Sequence, residues 1–271
     1  MKDFWIEVLD FTRTITKEVG NKLKLDFGQV QGRRKPDGSL VTKADQWADS
    51  VIREAISARF PEHGILTEET LHIFPENDWC WIVDPIDGTT NFTRGIAIWG
   101  ISLGLLYQGT PIFGAVYFPL FNEFFHGYWY GESGLEGPIG AYKNGELIQT
   151  SQDDPSQNHI FSLCARSTAV LKKPFPCKIR LIGVASYNCL LVASGAALGG
   201  VEATPKVWDI AAVWAIVKAA GGVFLSLTSE PAFPLKVGED YGNCPFPSLV
   251  SSQEKLLPTF KPLVSFLGTG V

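Results

Sequence analysis

Apolar residues at Phe4, Val8, Phe11, Ile15 and Val19 recur three or four positions apart. That is the spacing of one helical face, and it predicts an amphipathic helix from residue 3 to about 25. Gly28 to Gly38 is polar and turn-rich and reads as a flexible loop. Thr42 can then cap a second helix reaching about Arg59, with Ala48, Ile52, Ala55 and Ile56 on its inner face. Gly64 to Glu69 reads as a short strand ending in two acids, Glu68 and Glu69. Trp79, Trp81, Ile82 and Val83 form a second buried strand that should stop at Asp84, because Pro85 has no N–H for the ladder.

From Ile98 onward the pattern changes period. GISLGLLYQG, TPIFGAVYFP and EFFHGYWYG alternate with turn residues and predict an antiparallel meander. A polar stretch from Gln149 to Ser156 marks a boundary, dividing the chain into an α+β half, 1–150, and an α/β half, 151–271. In the second half, strands are expected at Ile160–Cys164 and Ile179–Val184 and a buried helix at Ala185–Leu198. Trp208-Asp209 opens a further helix with Ile210, Val213, Trp214, Val217 and Ala220 on one face. Gly221-Gly222 ends it, and the strand VFLSL follows. The tail returns to a strand near Ser248–Ser251 and a last helix. Leu181 to Val201 carries no charge and is long enough to cross a bilayer, but Ser186, Asn188, Ser194 and four glycines interrupt it. No membrane span is expected.

Composition narrows the classes. The 271 residues are 45% hydrophobic and 19% charged with a net charge of −5, so a soluble globular protein is expected. No basic run exceeds Arg33-Arg34-Lys35, which argues against nucleic acid as a partner. The aromatics from Tyr117 to Tyr130 have no interleaved basic residues and read as sheet core. Five cysteines form no CxxC pair, and the odd number argues against a disulfide framework; a reducing cytoplasm fits. The acids Asp3, Glu7 and Asp10 do not suit a signal peptide, so the sequon Asn91-Phe92-Thr93 reads as incidental. The four histidines lack zinc spacing.

The chemistry gathers in WCWIVDPIDGTTNF, residues 79–92. Asp84 and Asp87, three apart across a proline of fixed φ, can converge on one point with the Ile86 carbonyl. Oxygen ligands of that kind suit Mg²⁺. Asp87 stands where a helix N-cap is expected, with free amides beyond it that suit an anion. Taken alone, DPxDG is equally explained by an acid closing a strand and another capping a helix. Asp45 alone would be a helix N-terminal acid, and Asp209 alone an ordinary N-cap.

The whole string resembles the first signature of the inositol monophosphatase family, metal-dependent and lithium-sensitive phosphatases, and the resemblance runs over nearly the full chain. WDIAAVWAIVKAAGG resembles the second signature, VTKAD the VTxxD segment, TEET the GEES segment and GVASYNCLLVASG the GTAAxNxxxVAxG segment. The resemblance implies a layered αβαβα sandwich of the inositol monophosphatase and fructose-1,6-bisphosphatase type and two Mg²⁺ ions, with a third left open. One metal would be held by Glu68, Asp84 and the Ile86 carbonyl, the other by Asp84, Asp87 and Asp209. Asp45 would accept a hydrogen bond from Thr89, and together with Glu68 they would align the attacking water. Gly88, Thr89 and Thr90 would hold the phosphate, approached by Lys35 or Arg34, and Ala185 would line the substrate pocket. Glu202, seven residues before Asp209, would hold ring hydroxyls.

The implied activity is hydrolysis of a small polyol phosphate, inositol 1-phosphate first, by a homodimer. Histidinol phosphate, fructose 1,6-bisphosphate and adenosine bisphosphate are alternatives within the same carboxylate set. A bisphosphate would want a second cationic site, for which Arg166, Lys172, Lys173, Arg180 and Lys206 are available. A regulatory, protein-binding member is the alternative from another class, and the intact carboxylates argue against it.

Overall fold

The computed structural model describes residues 2–35, 40–172 and 174–264. Helix α1 (Lys2–Asp26) is followed by a two-stranded ribbon of β1 (Arg33–Arg34) and β2 (Leu40–Val41), and then by α2 (Lys43–Arg59). Part of the expected loop is therefore paired, while 36–39 lie outside the described residues. Thr42 caps α2 as expected: its hydroxyl accepts from the Ala44 and Asp45 amides, and the Asp45 carboxylate accepts from the Thr42 amide.

A seven-stranded sheet comes next, from β3 (Gly64–Thr67), β4 (Trp79–Asp87), β5 (Gly100–Tyr107), β6 (Thr110–Phe118), β7 (Glu123–Tyr128), β8 (Gly140–Lys143) and β9 (Glu146–Ile148), in that order across the sheet. The short helix α3 (Thr89–Thr93) lies between β4 and β5. Only β3 runs parallel to its neighbour; the rest is the expected meander.

The second sheet is built from β10 (Ile160–Leu163), β11 (Lys178–Leu181), α4 (Ala185–Ala193), β12 (Gly199–Glu202), α5 (Val207–Ala219), β13 (Val223–Ser226) and β14 (Ser248–Ser251), and the chain continues into α6 (Leu257–Val264). Its strand order is β11-β10-β12-β14-β13. α1 and α2 cover the outer face of the large sheet, α4 and α5 lie between the two sheets, and α6 packs on the outer face of the small one. This is the αβαβα layering expected.

Three expectations are corrected. β4 does not stop at Asp84 but runs to Asp87 through a bulge: pairing with β5 breaks after Asp84↔Ser102 and resumes at Asp87↔Gly100. Pro85 is tolerated because its missing N–H falls inside that bulge. The helix after Val184 ends at Ala193, five residues early, because Gly195 turns the chain with φ +76° and Gly199–Glu202 become a strand. The second strand of the α/β half ends at Leu181 rather than Val184.

The central layer depends on missing side chains. Gly104, Gly114 and Gly127 stand opposite one another on β5, β6 and β7 and make a trough across the sheet. α5 lies in it: a Cβ on Gly114 would fall 1.9 Å from the Ala212 carbonyl oxygen, and one on Gly127 2.9 Å from Ile216 Cα. The close seating of α5 carries Asp209, in its first turn, toward the end of β4.

Candidate metal and phosphate site

Asp84 and Asp87 flank the β4 bulge and Asp209 sits in the first turn of α5; their carboxylate oxygens lie within 4.8 Å of one another. Among the described residues this is the one such acid group. Each carboxylate is anchored by a backbone amide: Asp84 by Ile86 N at 3.0 Å, Asp87 by Ser186 N at 2.7 Å and Asp209 by Lys206 N at 2.6 Å.

Two local expectations change here. Asp87 does not cap α3; Gly88 does, at φ +93°, where its missing Cβ avoids a 2.7 Å clash with Val184. Asp87 is instead taken by the start of α4, where the Ser186 amide donates to it. Asp209 is likewise not the N-cap of α5; Lys206 is.

Glu68, just past β3, acts through its charge on Asp84, and its Oε1 accepts from Lys35 Nζ at 2.8 Å. Lys35 also reaches Glu69 at 2.7 Å. Of the two basic candidates the structure therefore places Lys35 at the acids, while Arg34 is exposed on β1. Asp45 accepts from Thr89 Oγ1 at 3.1 Å, the predicted contact, and the Ile86 carbonyl lies 3.1 Å from the same hydroxyl.

The electrostatics are those of too many acids in too little water. Burial raises Asp84 well above the carboxylate range, and the charges of Glu68, Asp87 and Asp209 add to it. Burial and then Asp87 raise Asp209 in the same way. Burial raises Asp87 against the pull of the Ser186 and Ala185 amides, and Glu68 against the pull of Lys35. Glu69 is pushed up to about 7 by burial and by Glu68. The carboxylates of Glu68 and Glu69 outweigh the burial of Lys35 and hold its ammonium above the usual lysine range. Such a group is stable with all its acids ionised only when a cation supplies the missing charge, and an all-oxygen donor set suits a hard divalent ion.

A cavity of about 320 Å³ opens on the cluster, lined by Lys35, Glu68, His72, Lys206 and Asp209. A second, of about 350 Å³, continues from Asp87 and Asp209 past Thr90 and Ala185 to Cys164 and Glu202. Arg166, Thr204 and Asp209 line both, so the two are one bent cleft. Arg166 and Lys206 thus belong to the site; Arg180 is exposed on β11, and Lys173 lies outside the described residues. Glu202 ends β12, buried, with Asn188 Nδ2 at 2.6 Å. Burial pushes its carboxyl up to about 8, opposed by Asn188.

Ser186 and Asn188 were not predicted as site residues. Their only trace in the sequence is that they are polar in an otherwise apolar stretch. The sequon asparagine is sealed away: Asn91 is buried and its amide donates to the Ile98 and Ile182 carbonyls.

Strand, bulge and helix start together define a metal-dependent phosphomonoesterase centre, with carboxylates for the cation and a cleft for the ester. The sequence model of the inositol monophosphatase family matches residues 5–263, and the chain belongs to that family. It is 34% identical over 227 residues to a fructose-1,6-bisphosphatase/inositol-1-monophosphatase of Aquifex aeolicus, covering 78% of this chain and 82% of that one. It is 32% identical over 225 residues to a histidinol-phosphatase of Chlorobaculum parvum, covering 76% and 80%. The fold superposes on the structure of an IMPase from Thermotoga maritima with a TM-score of 0.76 at 29% identity, covering 96% of this chain and 99% of that one. No helix among the described residues is long and apolar enough to cross a membrane.

Proposed function

We propose that the protein hydrolyses the phosphate monoester of a small polyol, with inositol 1-phosphate as its substrate, using Mg²⁺. The observation that carries this reading is the cavity lined at once by Asp87 and Asp209 of the acid group and by Glu202. Glu68, Asp84 and the Ile86 carbonyl would hold one Mg²⁺, and Asp84, Asp87 and Asp209 a second; Glu69 stands beside the first set. Bound Mg²⁺ supplies positive charge for the phosphoryl oxygens and makes water more acidic.

The chain's own groups do the rest. Asp45 holds the Thr89 proton, so the Thr89 oxygen presents lone pairs to a water, and Glu68 accepts that water's proton. The water oxygen bonds to phosphorus, the ester P–O bond breaks, and the departing alcohol oxygen takes a proton from solvent water, to which Glu68 returns the one it accepted. The open amides of Gly88, Thr89 and Thr90 at the start of α3 hold the phosphate oxygens. Glu202 accepts from hydroxyls of the leaving alcohol, with Ala185 lining the path. Enzymes accelerate phosphate monoester hydrolysis by up to roughly 10²¹-fold, so charge placement must accompany positioning.

Fructose 1,6-bisphosphate is the second reading, supported by Arg166 and Lys206 beside Asp209, which could take a second phosphate. Lithium inhibition, a cytoplasmic location, a homodimer and a division at 1–150 and 151–271 belong to the same proposal. Phosphate release from inositol 1-phosphate, fructose 1,6-bisphosphate, histidinol phosphate and adenosine bisphosphate, with Mg²⁺ and with or without Li⁺, tests it. Highest kcat/KM on inositol 1-phosphate with loss in Li⁺ is expected; preference for histidinol phosphate, or Mg²⁺-independent turnover, would overturn it.

A further inference from the structure

α4 touches two of the acids that line the cleft, with different atoms. The Ser186 amide in its first turn holds Asp87 of the acid cluster, and less than one turn later Asn188 reaches Glu202 in the wall of the same cavity. Glu202 Oε1 accepts from Asn188 Nδ2 at 2.6 Å. The approach is built into the backbone. β12 enters with Gly199-Gly200, and a Cβ on Gly200 would lie 2.5 Å from Ser162 Oγ, the hydroxyl that ties β10 to the Asn188 carbonyl.

Asn188 is itself buried, and its side-chain oxygen has no hydrogen-bond partner among the described residues. A buried amide satisfied on one side only is a net burden on the core. Its neighbours Cys189, Leu190 and Val192 on the same helix are buried and apolar, so packing does not call for an amide. What Asn188 contributes is the Nδ2 hydrogen bond to Glu202.

We infer that Asn188 is a positioning residue for Glu202: it aims the carboxylate into the cleft, and α4 thereby fixes the spacing between the acids for the cation and the acid that reads the alcohol. The inference rests on the reading of Glu202 as the group that accepts from substrate hydroxyls. A substrate whose alcohol has no second hydroxyl should therefore be indifferent to Asn188 except through general damage.

The test compares kcat and KM of the full chain with Mg²⁺ on inositol 1-phosphate and on phenyl phosphate, for Asn188→Ala, Asn188→Ser and Glu202→Gln. The expected result is a fall of about tenfold or more in the ratio of kcat/KM for the two substrates in the Asn188 variants, the scale of losing an orienting outer-shell partner. The fall should lie mainly in KM for inositol 1-phosphate. An equal loss on both substrates, or none, overturns the inference. So does failure of both Asn188 variants to fold while Glu202→Gln folds, since the role is then structural. If Glu202→Gln lowers the ratio and the Asn188 variants do not, only this inference fails. If Glu202→Gln leaves the ratio unchanged, the reading of Glu202 fails and the inference with it.

Discussion

Asp87 belongs to the acid cluster and also accepts the Ser186 amide at the start of α4, and Asp209 likewise accepts the Lys206 amide at the start of α5. Replacing either by asparagine keeps size and hydrogen bonding but removes charge. Asp87→Asn and Asp209→Asn should each fold and lose at least about 10²-fold in kcat/KM, the scale of one preorganised electrostatic group; near-normal turnover in both would remove the acid cluster from the mechanism.

Proton linkage gives a second expectation. Glu69 near 7, Glu202 near 8 and the raised aspartates all bind protons more tightly folded than unfolded, where carboxyls titrate near 4. The stability they contribute is complete below the unfolded pKa and is lost as pH rises through the folded values. In a chelator, Tm should fall between about pH 6.5 and 8, above the range in which the buried His63 and His126, both lowered to about 4, add stability as pH rises, and saturating Mg²⁺ should restore more stability at pH 8 than at pH 6.5. A metal-free Tm that rises over that range would contradict the assignment. At this scale the sequence was informative where residues carry chemistry by type and spacing, as with Asp84, Asp87, Asp45 and Thr89. It was silent on Ser186 and Asn188, because their roles come from where α4 points.

The elements show why distant acids can meet. β4 supplies two aspartates across a bulge that keeps Pro85 off the ladder, and α5 supplies the third because the Gly104, Gly114 and Gly127 trough admits it to the sheet. Gly114→Ala pushes a methyl into the Ala212 carbonyl. It should cost about 1–3 kcal/mol of stability, the usual scale of overpacking. It should also weaken Mg²⁺ activation by shifting Asp209; denaturant unfolding and a Mg²⁺ titration of activity check both. The helices and the meander were legible from periodicity and from Thr42 and the Gly221-Gly222 stop. The ends of β4 and α4 were misjudged because a bulge and a positive-φ glycine are settled by pairing partners that local sequence does not name. The trough was invisible for the same reason: each glycine, read alone, is a turn residue.

Taken whole, the molecule is two sheets with α4 and α5 between them, and the cleft lies where the ends of β4, β12, α4 and α5 converge. The central claim is that Asp84, Asp87 and Asp209 hold a divalent cation beside the ester-binding cleft. The most direct measurement is anomalous diffraction from crystals soaked in Mn²⁺, a Mg²⁺ substitute visible by its own scattering. The account predicts a peak within bonding distance of all three carboxylates, absent in Asp209→Asn. A fully ordered cleft with no peak there, at a Mn²⁺ concentration that supports turnover, would contradict it.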